Sequence, residues 1–280
     1  ETATNANPEI GGTGVTKDDN GTGAGVFTET ITGLTASTGY SYRSYATTAT
    51  GTTYGTVLTF STLVPPQEAV LHFDGANDYV DATASVATDL PVGNAARSVE
   101  FTIKTGQTSL GNIVSWGTQA NNGERSSFAV RDGKAGFIGA FKDVTGTVTI
   151  NDNTDHNITI TYDGTNLTGF KFYVDGVLDP GPYTFNQDNS GVSINTLGQK
   201  LILGKNASPS NIEYYNGTLD NVRIWDKELS AAEVSTYAGQ TIPTSTANLV
   251  AYFNFNEGTP NADNTGLTTV TDLTGNYNGT

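Results

Sequence analysis

Residues Gly217 to Val234 limit the possible folds more tightly than any other stretch of the chain. The run Gly217-Thr218-Leu219-Asp220-Asn221-Val222-Arg223-Ile224-Trp225 reads as a strand, with Val222 and Ile224 sharing one face. It ends in the charged turn Asp226-Lys227-Glu228. Ser230 and Glu233 then stand at capping-box spacing, and Leu229 and Val234 occupy the two positions of a hydrophobic staple. Two local rules thus agree that a short helix opens here. Such agreement fixes a corner of a fold and offers no active-site chemistry.

The remainder reads as short strands. Ser127 to Arg131 and Lys134 to Phe141 flank Asp132-Gly133, and Phe170 to Val174 leads through Asp175-Gly176 into Val177-Leu178. Asp-Gly between alternating apolar runs is the strongest short-range hairpin signal. Phe170, Phe172 and Val174 alternate with Lys171 and Tyr173, so that strand buries one face. The region beyond about residue 68, with one short helix, favours a two-sheet jelly roll over an α/β fold. Val64-Pro65-Pro66-Gln67 is the natural linker, because two prolines remove ladder donors and favour extended backbone. The expected organisation is therefore a small β module over residues 1–63, a linker at 64–67 and a large sandwich over 68–280.

Charge excludes several functions. The chain carries 13 Lys and Arg against 28 Asp and Glu, a net charge of −15. A field of that sign repels phosphate backbones and anionic lipid, which argues against nucleic-acid partners and membrane surfaces. Only 15% of residues are charged, which suits a Thr- and Asn-rich folded surface rather than an acidic tail. There is no cysteine, which removes disulfides, thiolate metal sites and cysteine nucleophiles. No apolar run approaches the roughly 18 residues of a membrane-spanning helix. The absence of methionine fits an excerpt of a longer chain.

Several segments resemble known families. Ile31-Thr32-Gly33-Leu34, Gly39 to Ala46 and Tyr54 to Thr62, with Leu34 six residues before Tyr40 in the manner of a tyrosine corner, resemble the second half of a fibronectin type III domain. That likeness implies first strands lying before Glu1. Val70 to Val80, Ser98 to Lys104, His156 to Gly164 paired with Phe172 to Gly176, and the closing strand and helix resemble, in order, a laminin-G-like module of the concanavalin A-like lectin/glucanase jelly rolls. Asp155 stands where members usually carry Trp. Asn248 to Gly258 and Asp272 to Gly279 resemble the returning C-terminal strands, with one further strand expected. The resemblance implies an all-β fold of two sandwiches in series. It also implies a non-catalytic, extracellular, secreted or surface-attached binding module within a larger protein, with a glycan or polysaccharide, or surface proteins, as partners.

Candidate sites follow from residue chemistry. Jelly-roll glycosidases set a nucleophile and an acid on alternate residues of one strand, as Glu-x-Asp-x-x-Glu or Glu-x-Asp-x-Glu. No such run occurs around Glu100, Glu213, Glu228, Glu233 or Glu257, so a hydrolase or lyase is the lesser reading. Calcium takes six to eight oxygens. Asp74, Asn77 and Asp78 crowd such ligands into one turn, with Asp220 or Glu257 available from neighbouring strands. A rim calcium is also what the laminin-G resemblance implies, while Asx turns are the alternative use of the same residues. His72 and His156 have no triad partners in view and read as structural. Sugar recognition needs flat aromatic faces edged by amides and charges. Trp116, Tyr183, Phe185, Tyr214 and Tyr215 are the aromatic candidates, with Asn121, Asn122 and Arg125 as donors. Trp225 is expected to pack under the helix. The alternative to recognition is a structural spacer in an adhesin stalk or surface fibre.

Overall fold

Asp132 and Gly133 have φ of 54° and 71°, and Asp175 and Gly176 have 53° and 76°, in the computed structural model of the chain. Both pairs therefore lie in the left-handed region that a two-residue primed hairpin turn demands. The structure describes residues 6–23, 25–28, 30–35, 38–62, 69–82, 89–118, 124–186, 192–198, 200–207, 212–259, 264 and 266–280. The chain divides into two units, Glu1–Gln67 and Glu68–Thr280. The linker Val64-Pro65-Pro66-Gln67 lies outside the described residues.

Among its described residues the first unit holds four short strands, β1 (Gly39–Tyr42), β2 (Tyr45–Thr48), β3 (Gly51–Tyr54) and β4 (Leu58–Ser61). They form two separate antiparallel pairs, β1 with β4 and β2 with β3. Tyr40 and Phe60 stack across β1 and β4 with centroids 5.6 Å apart. The Tyr40 hydroxyl accepts a 2.7 Å hydrogen bond from the Thr35 N–H, as the tyrosine-corner reading requires. The segment Ile31 to Leu34, part of the fibronectin-like resemblance, is irregular rather than a strand. Gly33 breaks it with a φ of 73°.

The second unit is a two-sheet sandwich. Its strands are β5 (Leu71–Asp74), β6 (Val80–Asp81), β7 (Arg97–Lys104), β8 (Gly111–Gly117), β9 (Arg125–Arg131), β10 (Lys134–Ile138), β11 (Val144–Thr149), β12 (Asp155–Tyr162), β13 (Phe170–Val174), β14 (Val177–Leu178), β15 (Thr184–Phe185), β16 (Ile202–Leu203), β17 (Asn216–Trp225) and β18 (Leu249–Phe253). One sheet runs β14-β13-β12-β7-β17-β18, with β5 also paired to β17. The other runs β15-β11-β10-β9-β8-β16-β6. This is the jelly-roll class expected from the sequence. Alternation along each strand sends Val99, Phe101, Ile158, Ile160, Phe170, Phe172, Val222 and Ile224 of the first sheet and Val114, Trp116, Phe128, Val130 and Phe137 of the second into one shared apolar core.

The first sheet is covered on its other side by helix α1 (Ala231–Tyr237). The capping box forms as predicted: the Ser230 hydroxyl accepts from Glu233 N, and the Glu233 carboxylate accepts from Ser230 N. Leu229 and Val234 join Trp225, Tyr237, Tyr173, Ile242 and Tyr252 in a second apolar cluster. Trp225 and Tyr237 stack at 6.0 Å, placing the tryptophan under the helix.

At the corner where the sequence carries Asp155 in place of Trp, Asp155 is exposed and pairs in register with Lys104. Its neighbour His156 is fixed by Asp175 at 2.9 Å and Asp152 at 3.3 Å. Burial lowers the imidazole pKa, but those two aspartates outweigh it and leave it raised.

Candidate functional site

The second sheet has an unusual outer face. Residues alternating with its core side chains are small or polar: Asn112 and Ser115 on β8, and Arg125, Ser127 and Ala129 on β9, all buried. Because each polar group here is withdrawn from water, each must find a partner. The Ser127 hydroxyl donates to Asn112 Oδ1. Glu213 then accepts from Asn112 Nδ2 at 3.0 Å and from Asn206 Nδ2 at 2.6 Å. Arg125 lies within electrostatic reach of both Glu213 and Asp143. Burial pulls its pKa down while those two carboxylates pull it up, and burial prevails.

Asp143 carries this network to the rim. One carboxylate oxygen accepts from the Gly139 N–H at 3.1 Å, closing the loop between β10 and β11. The other accepts from Arg131 Nη1 at 2.9 Å and Asn186 Nδ2 at 3.0 Å. Next to it, Lys142 Nζ donates to the Ser193 carbonyl at 2.6 Å. The loop is thus tied to β9 and to the segments holding Asn186 and Ser193.

That pinned loop displays an aromatic ring. Ala140 and Phe141 have φ of 51° and 73°, the same paired left-handed backbone as the two Asp-Gly hairpins. A Cβ on Gly139 would stand 2.6 Å from the Lys142 carbonyl, so the crossing is too tight for any other residue there. Phe141 occupies the position where the other hairpins place glycine, at a cost of about 1–3 kcal/mol for such a conformation. Its side chain remains 57% exposed, so burial returns little of that cost. The sequence pattern continues β10 as far as Phe141, but the strand stops at Ile138 because the chain turns there. Ala-Phe carries no turn signal, so nothing in the sequence marks this loop.

The predicted ligand contacts separate into core and rim. Trp116 is fully buried, donates from Nε1 to the Pro91 carbonyl at 2.9 Å and stacks on Phe128, so its faces are closed to a ligand. Tyr215 is equally buried, edge-on to Phe73, with its hydroxyl donating to the Thr218 carbonyl. Tyr183 packs against Phe172 and spends its hydroxyl on the Asp179 carbonyl. Burial thus withdraws Trp116 and Tyr215 from any ligand, while Tyr183 and Phe185 are partly buried against the core. Tyr214 is half-buried beside Glu213. Arg125 belongs to the polar network, while Asn121 and Asn122 lie outside the described residues.

The five predicted calcium ligands do not converge. In the β5–β6 turn, Asp74 Oδ1 accepts from Ala76 N at 2.7 Å and Asp78 Oδ2 accepts from Asp74 N at 2.9 Å, the Asx-turn use of these residues. Asp74 sits in register opposite Asn216, whereas Asp220 lies four residues further along β17, about 13 Å at the usual rise. Asp220 there accepts from Asn221 N and Nδ2. Glu257 accepts from Thr271 N at 2.7 Å. Among the described residues no three carboxylate or imidazole groups gather as a metal site. The five residues therefore do not meet as one ligand set. Excess chelator is expected to leave the melting midpoint within about 1 °C, since only a bound ligand raises it; a larger fall would restore the ion.

Residues 73–235, more than half of the chain, match the family model of the concanavalin A-like lectin/glucanases superfamily, Laminin_G_3. The chain belongs to that family. No functionally curated protein matches it. Among solved structures it is similar to a Bacteroides ovatus ATCC 8483 protein to which carbohydrate binding is provisionally assigned, with TM-score 0.56 and 17% identity over 88% of this chain and 68% of that one. It also matches the heptameric SAP-like pentraxin of Limulus polyphemus, with TM-score 0.44 and 18% identity over 66% of this chain and 86% of that one. The CBM40 of Ruminococcus gnavus IT-sialidase matches with TM-score 0.40 and 13% identity over 61% and 99%. At these identities the likeness to the Bacteroides protein is one of fold, and the two weaker matches carry no argument.

Proposed function

We propose that the second unit is a non-catalytic carbohydrate-recognition module, working within a larger secreted or surface-attached protein. The observation that supports this most directly is the engagement of Asp143, the buried carboxylate that closes the loop displaying Phe141. It accepts from Arg131, Asn186 and Gly139 at once. Both of its oxygens are thus occupied by donors of the protein itself, which holds the carboxylate as a fixed acceptor rather than as a group free to meet a leaving oxygen. Glu213, the other acid beside Arg125, is likewise held by two amides. Such a network fixes polar groups for recognition and supplies no acid and base pair for turnover.

Affinity electrophoresis of the full chain through gels containing soluble polysaccharides tests this, with reducing ends assayed in parallel. Retardation by at least one polysaccharide without release of reducing ends is the expected result. Release that disappears in Asp143→Asn would establish a hydrolase instead.

A further inference from the structure

We infer that Phe141 is the stacking platform of this module and that the saccharide it takes is uncharged. The inference rests on the carbohydrate reading above and names the place and the ligand class. Among the described residues of the unit, three pairs of consecutive residues both have positive φ, and two of them are the Asp-Gly hairpin turns. In the third, Ala140-Phe141, a bulky ring replaces the glycine and stands in solvent, while its backbone is held by Asp143 and Lys142. Folding alone would be served better by glycine at this point. A flat, rigid aromatic face suits the apolar face of a pyranose ring, and it loses little freedom when the sugar docks. Asn186, exposed and anchored to the same Asp143, brings an amide to the edge of the site for ring hydroxyls.

Charge selects among sugars. Around the loop Arg131 is paired with Asp143 at 2.9 Å and lies 4.0 Å from Asp132, while the Lys142 ammonium is spent on the Ser193 carbonyl at 2.6 Å. Deeper in the network Arg125 faces Glu213 and Asp143. A carboxylated saccharide would thus meet no uncompensated guanidinium there, inside a chain of net charge −15.

The test uses the full chain in affinity gels of neutral polysaccharides (dextran, mannan, mixed-linkage β-glucan) and acidic ones (polygalacturonate, alginate), with lactose and sialyllactose as soluble competitors. Phe141→Gly and Ala140→Gly are compared with the parent. At least one neutral gel should retard the parent, and Phe141→Gly should bind about tenfold or more weakly while melting at or above the parental midpoint. Ala140→Gly should melt likewise and keep the parental affinity. Binding by Phe141→Gly within about twofold of the parent, or retardation by acidic gels alone, overturns the inference and leaves the carbohydrate reading standing. Retardation by no gel overturns both.

Discussion

Replacing Asp272 with alanine is expected to destabilise the second unit by about 3–5 kcal/mol, because buried N–H donors would lose a charged acceptor together. Asp272 is 1% exposed. Its Oδ1 accepts from the backbone N–H of Tyr252 at 2.8 Å and of Thr274 at 3.0 Å. Its Oδ2 accepts from the N–H of Asn276 and of Tyr277, both at 2.9 Å, and from the Thr274 hydroxyl at 2.6 Å. One side chain thus joins strand β18 to the C-terminal turn. What the turn then positions is large: Tyr277 is buried, with its hydroxyl 2.6 Å from Asp89, and Val270 pairs with Gly279. Asp272→Asn keeps one acceptor oxygen and should lose about half as much. Both tryptophans, Trp116 and Trp225, lie in this unit, so urea unfolding followed by tryptophan fluorescence reports on it alone. A shift in midpoint worth less than about 1 kcal/mol at unchanged slope would show that water replaces the carboxylate easily.

The sequence yields those parts of the fold that local chemistry decides. Asp132-Gly133 and Asp175-Gly176 form the turns they announce, and Ser230 with Glu233 caps the helix they predict. Val222 and Ile224 share the core face as strand alternation requires, while Arg223 and Trp225, on the opposite face, are buried under the helix. The site is harder to read because its groups meet through tertiary packing. Trp116 lies opposite Ser126 in β8 and β9, and both faces of that sheet are buried, so alternation with Ser115 does not tell a core ring from a displayed one. Asp220 looks like a companion of Asp74 only until the register of β17 separates them, and Glu257 is taken up by the Thr271 N–H. Phe141 is invisible for the opposite reason: it breaks the local rule that would have announced its turn. Departures of that kind concentrate where a chain gives up stability for a task.

The same reasoning applied to the helix-covered face leads to Glu100 and Arg223, both within 1% of complete burial. Arg223 Nη1 lies 3.2 Å from each Glu100 oxygen, and Asn157 Nδ2 donates to Glu100 Oε1 at 2.8 Å. The guanidinium also donates to the carbonyls of Tyr237 and Gln240, and it lies over the Tyr252 ring at 4.6 Å. The pair therefore fastens the end of helix α1 and the chain after it to the sheet. Arg223→Met should cost about 3–5 kcal/mol, because it strands a buried carboxylate. Glu100→Gln should cost less, since an amide still accepts from Arg223 and Asn157. In a double-mutant cycle the two changes should couple by roughly 1–3 kcal/mol.

A pH signature separates this electrostatic loss from simple packing loss. Burial already raises the Glu100 carboxyl, with the Arg223 charge and the Asn157 amide pulling it down. Without Arg223 the folded protein holds that proton to higher pH than the unfolded chain does. The folded state then binds more protons, and stability falls as pH rises above the ordinary glutamate range of about 4.3. Arg223→Met should accordingly lose less stability at pH 5 than at pH 8, relative to the parent at each pH. An equal loss at both would mean that Arg223 acts through its packing and its carbonyl contacts alone, with the Glu100 charge carrying none of the effect.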